Sequence, residues 1–521
     1  MPEHPATFQA SSPQVGSNGI ALSRASTFLR YALLASGAAY IAVFLVLAFF
    51  RIRYPFELEW MEGGSLDHVR RVLAGKKVYV GPSLEFVTFL YTPLYYYVSA
   101  AVAKATGVGF LPLRLVSFAS TLGSFLIIFL IVRRETGSTF SGALASCLFA
   151  ATFQISGAWF DLARVDSLFL FLLLAGLYLF RLSTSPKSYV LAGALISLAY
   201  LTKQTAILVC LPIMVYSFYL NRRHSVFFAG TIVAILGVST LLLDYMHDGW
   251  YTYYTLLIPR RLDLLEEMVV DFWTKDLISP LPIACIMSVV YLAGQLLNRT
   301  GKAHLFYPVL AVGMLGGPWL SRMKHGSYHN IPMPSYALIS ILFGLAAHKL
   351  LEHFQTASAN KRKLMEISVC LVCMVQFARL IYDPFSQVPT REDLEAGWKL
   401  VHTIAQTEGD VYVAEHGYLA VLAGKPSYAH AIAIGSILRS SNEKAEARLI
   451  KEIWRAFQEE KFDMVILDST YFLKNWLRET DYEGYCMSRR PVFDNASVFW
   501  PVAGAKFRPE IMLRRCSGKE R

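Results

Sequence analysis

Eleven apolar segments, nearly free of charge, divide this chain as far as residue 378: 31–50, 115–132, 140–160, 167–180, 188–202, 204–221, 225–243, 277–298, 305–321, 331–347 and 367–378. Several approach the ~20 residues that cross about 30 Å of hydrocarbon as a helix. Those at 167–180, 188–202 and 367–378 need flanking residues to reach both interfaces. The series predicts an all-α polytopic membrane protein of eleven transmembrane helices. Composition agrees: of 521 residues, 17% are charged, where soluble domains carry about a quarter. The first segment lies too deep and is too long for a cleavable leader, and no small-residue cleavage site follows it. It reads as a retained helix.

Orientation follows from Lys and Arg in the short gaps. The gaps "RRETGST", "RLSTSPK", "NRRH", "NRTGKAH" and "HKLLEHFQTASANKRKLME" hold twelve, whereas "DLARVD", Lys203 and "RMKHGSYHN" hold four. This predicts residues 1–30 as a cytoplasmic tail, 31–383 as a transmembrane domain with a first outer loop at 51–112, and 384–521 as an external domain. The cell's inner (plasma) membrane is the expected location. The scheme needs "YTPLYYYVSAAVA" (91–103) to lie in the outer interface, where tyrosine rings sit at headgroup level. The net charge of +11 is read as topology and attraction to anionic lipid, not as nucleic-acid binding. Seven cysteines lie scattered, so neither a disulfide framework nor a zinc site is expected.

With this topology the unusual polar residues fall on one side. They are Glu57, Glu59 and Glu62; Tyr91 in "YTPLYYY"; Arg114; Asp161, Arg164 and Asp166 in "WFDLARVDS"; Lys203 and Gln204 in "LTKQTA"; Arg260 and Arg261; and Lys324 and His325. Any one charge at a helix mouth has the simpler explanation that it ends the span. Lys203 is harder to dismiss, because it interrupts an apolar stretch from 188 to 221 and an intramembrane ammonium costs roughly 3 kcal/mol on insertion scales. Carboxylates beside several cations at an outer interface suit a lipid-linked phosphate donor: the tail stays in hydrocarbon, Arg and Lys hold the phosphate, and a carboxylate takes the acceptor's proton.

The stretch "WMEGGSLDHVRRVLAGKKVY", followed by "YTPLYYY", "DLARVDS" and "LTKQTA", resembles the GT-C class of integral-membrane glycosyltransferases, closest to the bacterial branch related to lipid A aminoarabinose transferases and protein O-mannosyltransferases. The resemblance implies a polyprenyl-phosphate-linked sugar donor, membrane lipids as surroundings, and an envelope lipid, glycan or protein as acceptor. Counted back from Gly75 of the Leu-x-Gly turn, it places the catalytic acid at Glu62, with Glu59 as the alternative. It also implies an acid in the second outer loop, where Asp161 and Asp166 stand. In oligosaccharyltransferases such acids bind a divalent metal; the spacing here is not Asp-x-Asp, and no cofactor is expected. A different class, a transporter or flippase of an anionic substrate, would show repeated halves and charges near mid-membrane.

After residue 384 the pattern changes. "DVYVAEHG" (410–417) and "FDMVILD" (462–468) read as buried strands, and 446–461 places Leu449, Ile450, Ile453, Trp454 and Phe457 on one helical face,. "SVFWPVAG" is a candidate further strand, so the external domain is expected to be a small α/β unit. Glu415 and His416 end the first strand and are read as structural.

Overall fold

Each of the eleven apolar segments contributes to a helix, though 140–160 and 277–298 do so only in part, since a backbone in hydrocarbon must satisfy its own hydrogen bonds. The structure, a computed structural model, describes residues 17–182, 185–297, 301–439, 443–477 and 482–516. Residues 1–16 of the amino-terminal tail and parts of "RLSTSPK" and "NRTGKAH" lie outside the described residues. The helices are Ser17–Arg51, Phe110–Thr136, Thr139–Ala151, Asp166–Leu182, Pro186–Thr202, Ala206–Leu220, Arg222–Met246, Pro282–Leu297, Phe306–Arg322, Met333–His353 and Ala359–Ala378. Among the described residues five helices are long and apolar enough to span a bilayer, or six when Met268–Ile278 and Pro282–Leu297, bent by 100°, count as one broken span. Of the others, Thr139–Ala151 and Ala206–Leu220 are shorter than their apolar runs. The segment 140–160, for instance, is helical only to Ala151 and then turns through 152–165.

The gaps sort to two ends. At one end Arg181 pairs with Glu135 and Lys302 donates to the Tyr219 carbonyl. Gathered at the other are the first loop, the 152–165 turn, Lys203 and the 322–331 loop. Helix Glu62–Leu73 closes at Gly75, whose φ of +66° is the left-handed conformation glycine tolerates best. Helix Leu94–Thr106 starts after Pro93. Its tyrosines do not all face the interface: the Tyr95 hydroxyl donates to the Leu113 carbonyl and Tyr96 stacks on His68, both rings fully enclosed, while Tyr97 is exposed. Packing in the protein has claimed two of the three rings expected at headgroup level.

The carboxy-terminal region forms a four-stranded sheet, ordered β1-β2-β4-β3, from β1 (Asp410–Val413), β2 (Phe462–Leu467), β3 (Tyr485–Met487) and β4 (Ile511–Arg515). β1 and β2 are parallel, joined through helix Glu443–Gln458; the other pairs are antiparallel. "SVFWPVAG" is not a strand. Phe499 and Gly504 have φ of +63° and +68°, and the segment runs as a strap over the first loop. One disulfide, Cys486–Cys516, ties β3 to the end of β4 across 30 residues of sequence. The scattered spacing concealed it, because the two cysteines become neighbours only through antiparallel pairing. The remaining described cysteines are free and lie on apolar helices.

Candidate functional site

The first loop arrives at the site as an irregular strip, Tyr54–Met61, gripped by its backbone. Arg114 donates to the carbonyls of Arg51, Tyr54 and Phe56 at 3.1, 2.6 and 2.7 Å. It also holds Glu62 through two bonds of 2.6 and 3.1 Å. Glu62 further accepts the amides of Leu58 at 2.7 Å and Ala163 at 2.6 Å. Both side chains are fully buried. Burial pushes the Glu62 carboxyl up, but Arg114 and the two amides bring it below its ordinary value. Asp161 is enclosed in the same way, paired with Arg51 at 3.2 Å. Glu62, Arg114 and Asp161 thus form an enclosed layer, and none of them lines the cavity described next.

That cavity, of about 450 Å³, is bounded by Glu59–Met61, Phe89–Tyr91, Trp159, Arg164, Lys203–Thr205, the 324–331 loop, and helix Ala431–Leu438 with Arg439. Glu59 is its one carboxylate. The Arg164 guanidinium donates to Glu59 at 2.9 Å and to the Tyr91 hydroxyl at 3.0 Å, while Glu59 Oε1 is buried without a protein partner. Burial pushes the Glu59 carboxyl up to about 7, against the pull of Arg164. Lys203 donates to Asp166 at 2.6 Å, and Asp166 is held further by Asn330 and the Trp159 indole at 2.9 and 2.8 Å. Gln204 bonds the Leu90 carbonyl through its nitrogen and leaves its oxygen unpartnered.

The remaining site residues divide. Lys324 lines the cavity and bonds only carbonyl oxygens, that of Leu262 at 3.1 Å being the nearer; His325 lines it beside Lys324. Arg260 and Arg261 are exposed, with Pro259 and Leu262 taking the lining positions around them. Arg439 was not anticipated. It lies at the carboxy-terminal end of an apolar helix, on the face it shares with Ile432 and Ser436, and no carboxylate among the described residues pairs with it. The signal was an apolar run, "AIAIGSIL", in a region otherwise read as extramembrane, with Ile432, Ser436 and Arg439 at helical spacing.

The two glycines beside Glu62 serve packing. A Cβ on Gly64 would meet Phe89 at 2.1 Å, and one on Gly63 would meet Glu57 at 2.5 Å and Tyr418 at 2.6 Å. The Phe89 loop is fixed from the same helix: the Phe89 amide donates to His68 Nε2 at 2.9 Å, so Nδ1 carries the proton given to the Gly64 carbonyl at 2.6 Å,. Among the described residues no three His, Cys, Asp or Glu side chains are arranged to hold a metal ion, and Asp161 and Asp166 each face a cation.

Comparison places this geometry among known proteins. Residues 91–243 match the dolichyl-phosphate-mannose-protein mannosyltransferase family, a stretch that includes Tyr91, Arg164, Asp166, Lys203 and Gln204 and stops short of Glu59 and Glu62. No curated protein sequence matches the chain. The fold is similar to that of ArnT from Cupriavidus metallidurans bound to undecaprenyl phosphate, at TM-score 0.59 and 14% identity, over 92% of this chain and 98% of that one. The apo state of the same protein gives 0.55 and 13%, over 91% and 97%. The archaeal oligosaccharyltransferase AglB from Archaeoglobus fulgidus, in complex with an inhibitory peptide and a dolichol-phosphate, gives 0.55 and 10%, over 85% and 71%. The chain thus carries a segment similar to dolichyl-phosphate-mannose-protein mannosyltransferases within a multi-helix fold shared with ArnT and AglB.

Proposed function

We propose that the protein moves a sugar from a polyprenyl-phosphate-linked donor to an envelope lipid, glycan or protein acceptor, at the outer face of the inner membrane and with inversion. The observation that carries this reading is the cavity itself, with one carboxylate, Glu59, among Arg164, Lys203, Lys324 and Arg439. Geometry favours Glu59 over Glu62 as the base, because all the lone pairs of Glu62 are engaged away from the cavity while Glu59 retains a free oxygen. The acceptor hydroxyl loses its proton to Glu59 as its oxygen bonds to the anomeric carbon. The bond from that carbon to the phosphate oxygen breaks, and the polyprenyl phosphate leaves with the electron pair. Lys203 and Lys324 face the charge that grows on the leaving phosphate. Arg164 holds Glu59 in place, and Asp166 holds Lys203.

Undecaprenyl phosphate and dolichol-phosphate in the two similar structures support a lipid-phosphate donor. The disulfide supports an external position for the sheet unit, since such bonds persist in oxidising compartments,. The test is a panel of labelled polyprenyl-phosphate sugars offered to the purified protein in lipid nanodiscs, scored by release of polyprenyl phosphate. Consumption of no donor, or movement of the intact labelled lipid across a vesicle instead, would overturn the reading.

Two further results are expected. Lys324→Ala, which breaks no ion pair, should leave stability unchanged and weaken undecaprenyl-phosphate binding about tenfold, the loss of one charge-assisted hydrogen bond; equal affinity would remove Lys324 from the phosphate site. For sidedness, Arg223 is the better probe, because Ser225 is buried and Arg223 is exposed. Arg223→Cys should resist an impermeant maleimide in intact cells and react after lysis. Labelling from outside would invert the topology.

A further inference from the structure

We propose that His416, on the carboxy-terminal unit, is a positioning residue for Glu59, clamping from outside the strip whose inner side Arg114 holds. The inference rests on Glu59 being the acceptor's base. His416 follows β1, and its imidazole lies between two carboxylates. Nδ1 contacts Glu57 of the first loop and Nε2 contacts Asp468, just after β2, at 3.1 Å. All three side chains are only 4% exposed. Glu57 also accepts the Gly63 amide at 2.7 Å, and its own amide donates to the Tyr418 hydroxyl at 3.2 Å.

The strip is held again at the next two residues. Ala503 donates to the Leu58 carbonyl at 2.9 Å. Gly504 lies so close to Glu59 that a Cβ there would meet its Cγ at 2.6 Å. Phe56 packs on Trp398 and Phe499, with ring centres 5.2 Å away in both pairs. Glu59 therefore sits on a ribbon whose membrane side belongs to Arg114 and Glu62 and whose outer side belongs to the sheet unit. His416 supplies the one charged contact on that outer side.

The titratable groups around His416 are Glu57, Asp468, Glu415, Tyr418 and His430. Burial opposes a proton on its ring, but Asp468 and Glu57 together raise its pKa well above the ordinary histidine value. Burial pushes the Glu57 carboxyl up to about 8 against the pull of His416, so a proton is held in the clamp at neutral pH, and the clamp weakens as pH rises through the raised histidine value and that proton is lost,.

The experiment uses full-length wild type, H416Q and D468N in lipid nanodiscs. Amide hydrogen exchange over residues 54–62 should quicken at least about tenfold in both variants, with the membrane helices unchanged. Undecaprenyl-phosphate affinity, the probe of the phosphate site, should stay within about twofold while kcat for donor consumption falls at least about tenfold, the pattern of a lost transition-state alignment. The alkaline fall of wild-type kcat should vanish in H416Q. Unchanged exchange over 54–62 in a folded variant, or loss of affinity with kcat preserved, overturns the proposal. Should H416Q not fold, D468N decides, since it keeps the imidazole and removes only the charge that anchors and protonates it against Glu57. A wild type that consumes no donor refutes the glycosyl-transfer reading, and the exchange result still judges the clamp.

Discussion

Glu59→Gln is expected to fold, to bind undecaprenyl phosphate as the wild type does, and to lose about 10²–10⁴-fold in turnover, the range for removal of a positioned base. The amide keeps the size of the side chain and one oxygen for Arg164, so the cavity wall stays in place. The base works only when ionised, and burial holds its pKa near 7. Wild-type kcat should therefore fall as pH drops through about 7, and this acid limb should be missing from whatever activity the variant retains. Single-turnover rates across pH 5–9 make the measurement, with pH chosen to bracket that value,. A variant with wild-type turnover would return the role to another acid.

Arg114→Ala should do the opposite, destabilising the protein before any catalytic effect can be read. It leaves Glu62 ionised and enclosed with only two amides, and it strands the Tyr54 and Phe56 carbonyls. Breaking a buried pair on one side costs about 3–5 kcal/mol, a large part of the roughly 5–15 kcal/mol that keeps a domain folded. Glu62→Gln should fail in the same direction. The double change Glu62→Leu with Arg114→Met should recover part of the loss, because apolar replacement of a whole buried pair is often tolerated. Since Glu62 has a lowered pKa when folded, its contribution is complete above the unfolded glutamate value and disappears as pH falls through the lowered one. Thermal unfolding in nanodiscs compares the four proteins. A Glu62→Gln of wild-type stability with at least about 100-fold lower kcat would make Glu62 the base after all.

The helical, apolar character of the membrane part was legible in sequence because hydrocarbon demands apolar length, although among the described residues five or six helices, not eleven, are long and apolar enough to span. The gathering of Glu59, Tyr91, Arg164, Lys203, Gln204, Lys324 and His325 on one cavity could be anticipated from the alternation of basic gaps. Spacing from Gly75 pointed to Glu62, with Glu59 as the alternative, whereas the structure leaves an oxygen of Glu59, not of Glu62, without a partner. The difference between them lies in Arg114 and the Ala163 amide, partners 52 and 101 residues away, and a one-dimensional count cannot see which of two nearby acids is already satisfied. The roles of Arg439 and His416 were hidden for a related reason. Each faces the first loop or the cavity only because the sheet unit docks there, and the strap from "SVFWPVAG" helps to hold it by packing that no periodicity encodes.

That strap also sets a timetable. Leu58 and Glu59 leave the ribosome before the helices that follow them, whereas Ala503 and Gly504, which complete the wall around Glu59, are made after all of those helices and after the sheet strands that precede them. Contacts so remote in sequence close late in folding. Glu59 consequently lacks this outer wall during membrane insertion, and completes its surroundings only when the sheet unit folds onto the first loop. On the proposed function, a chain stalled before that point would hold its helices in the bilayer yet perform no transfer.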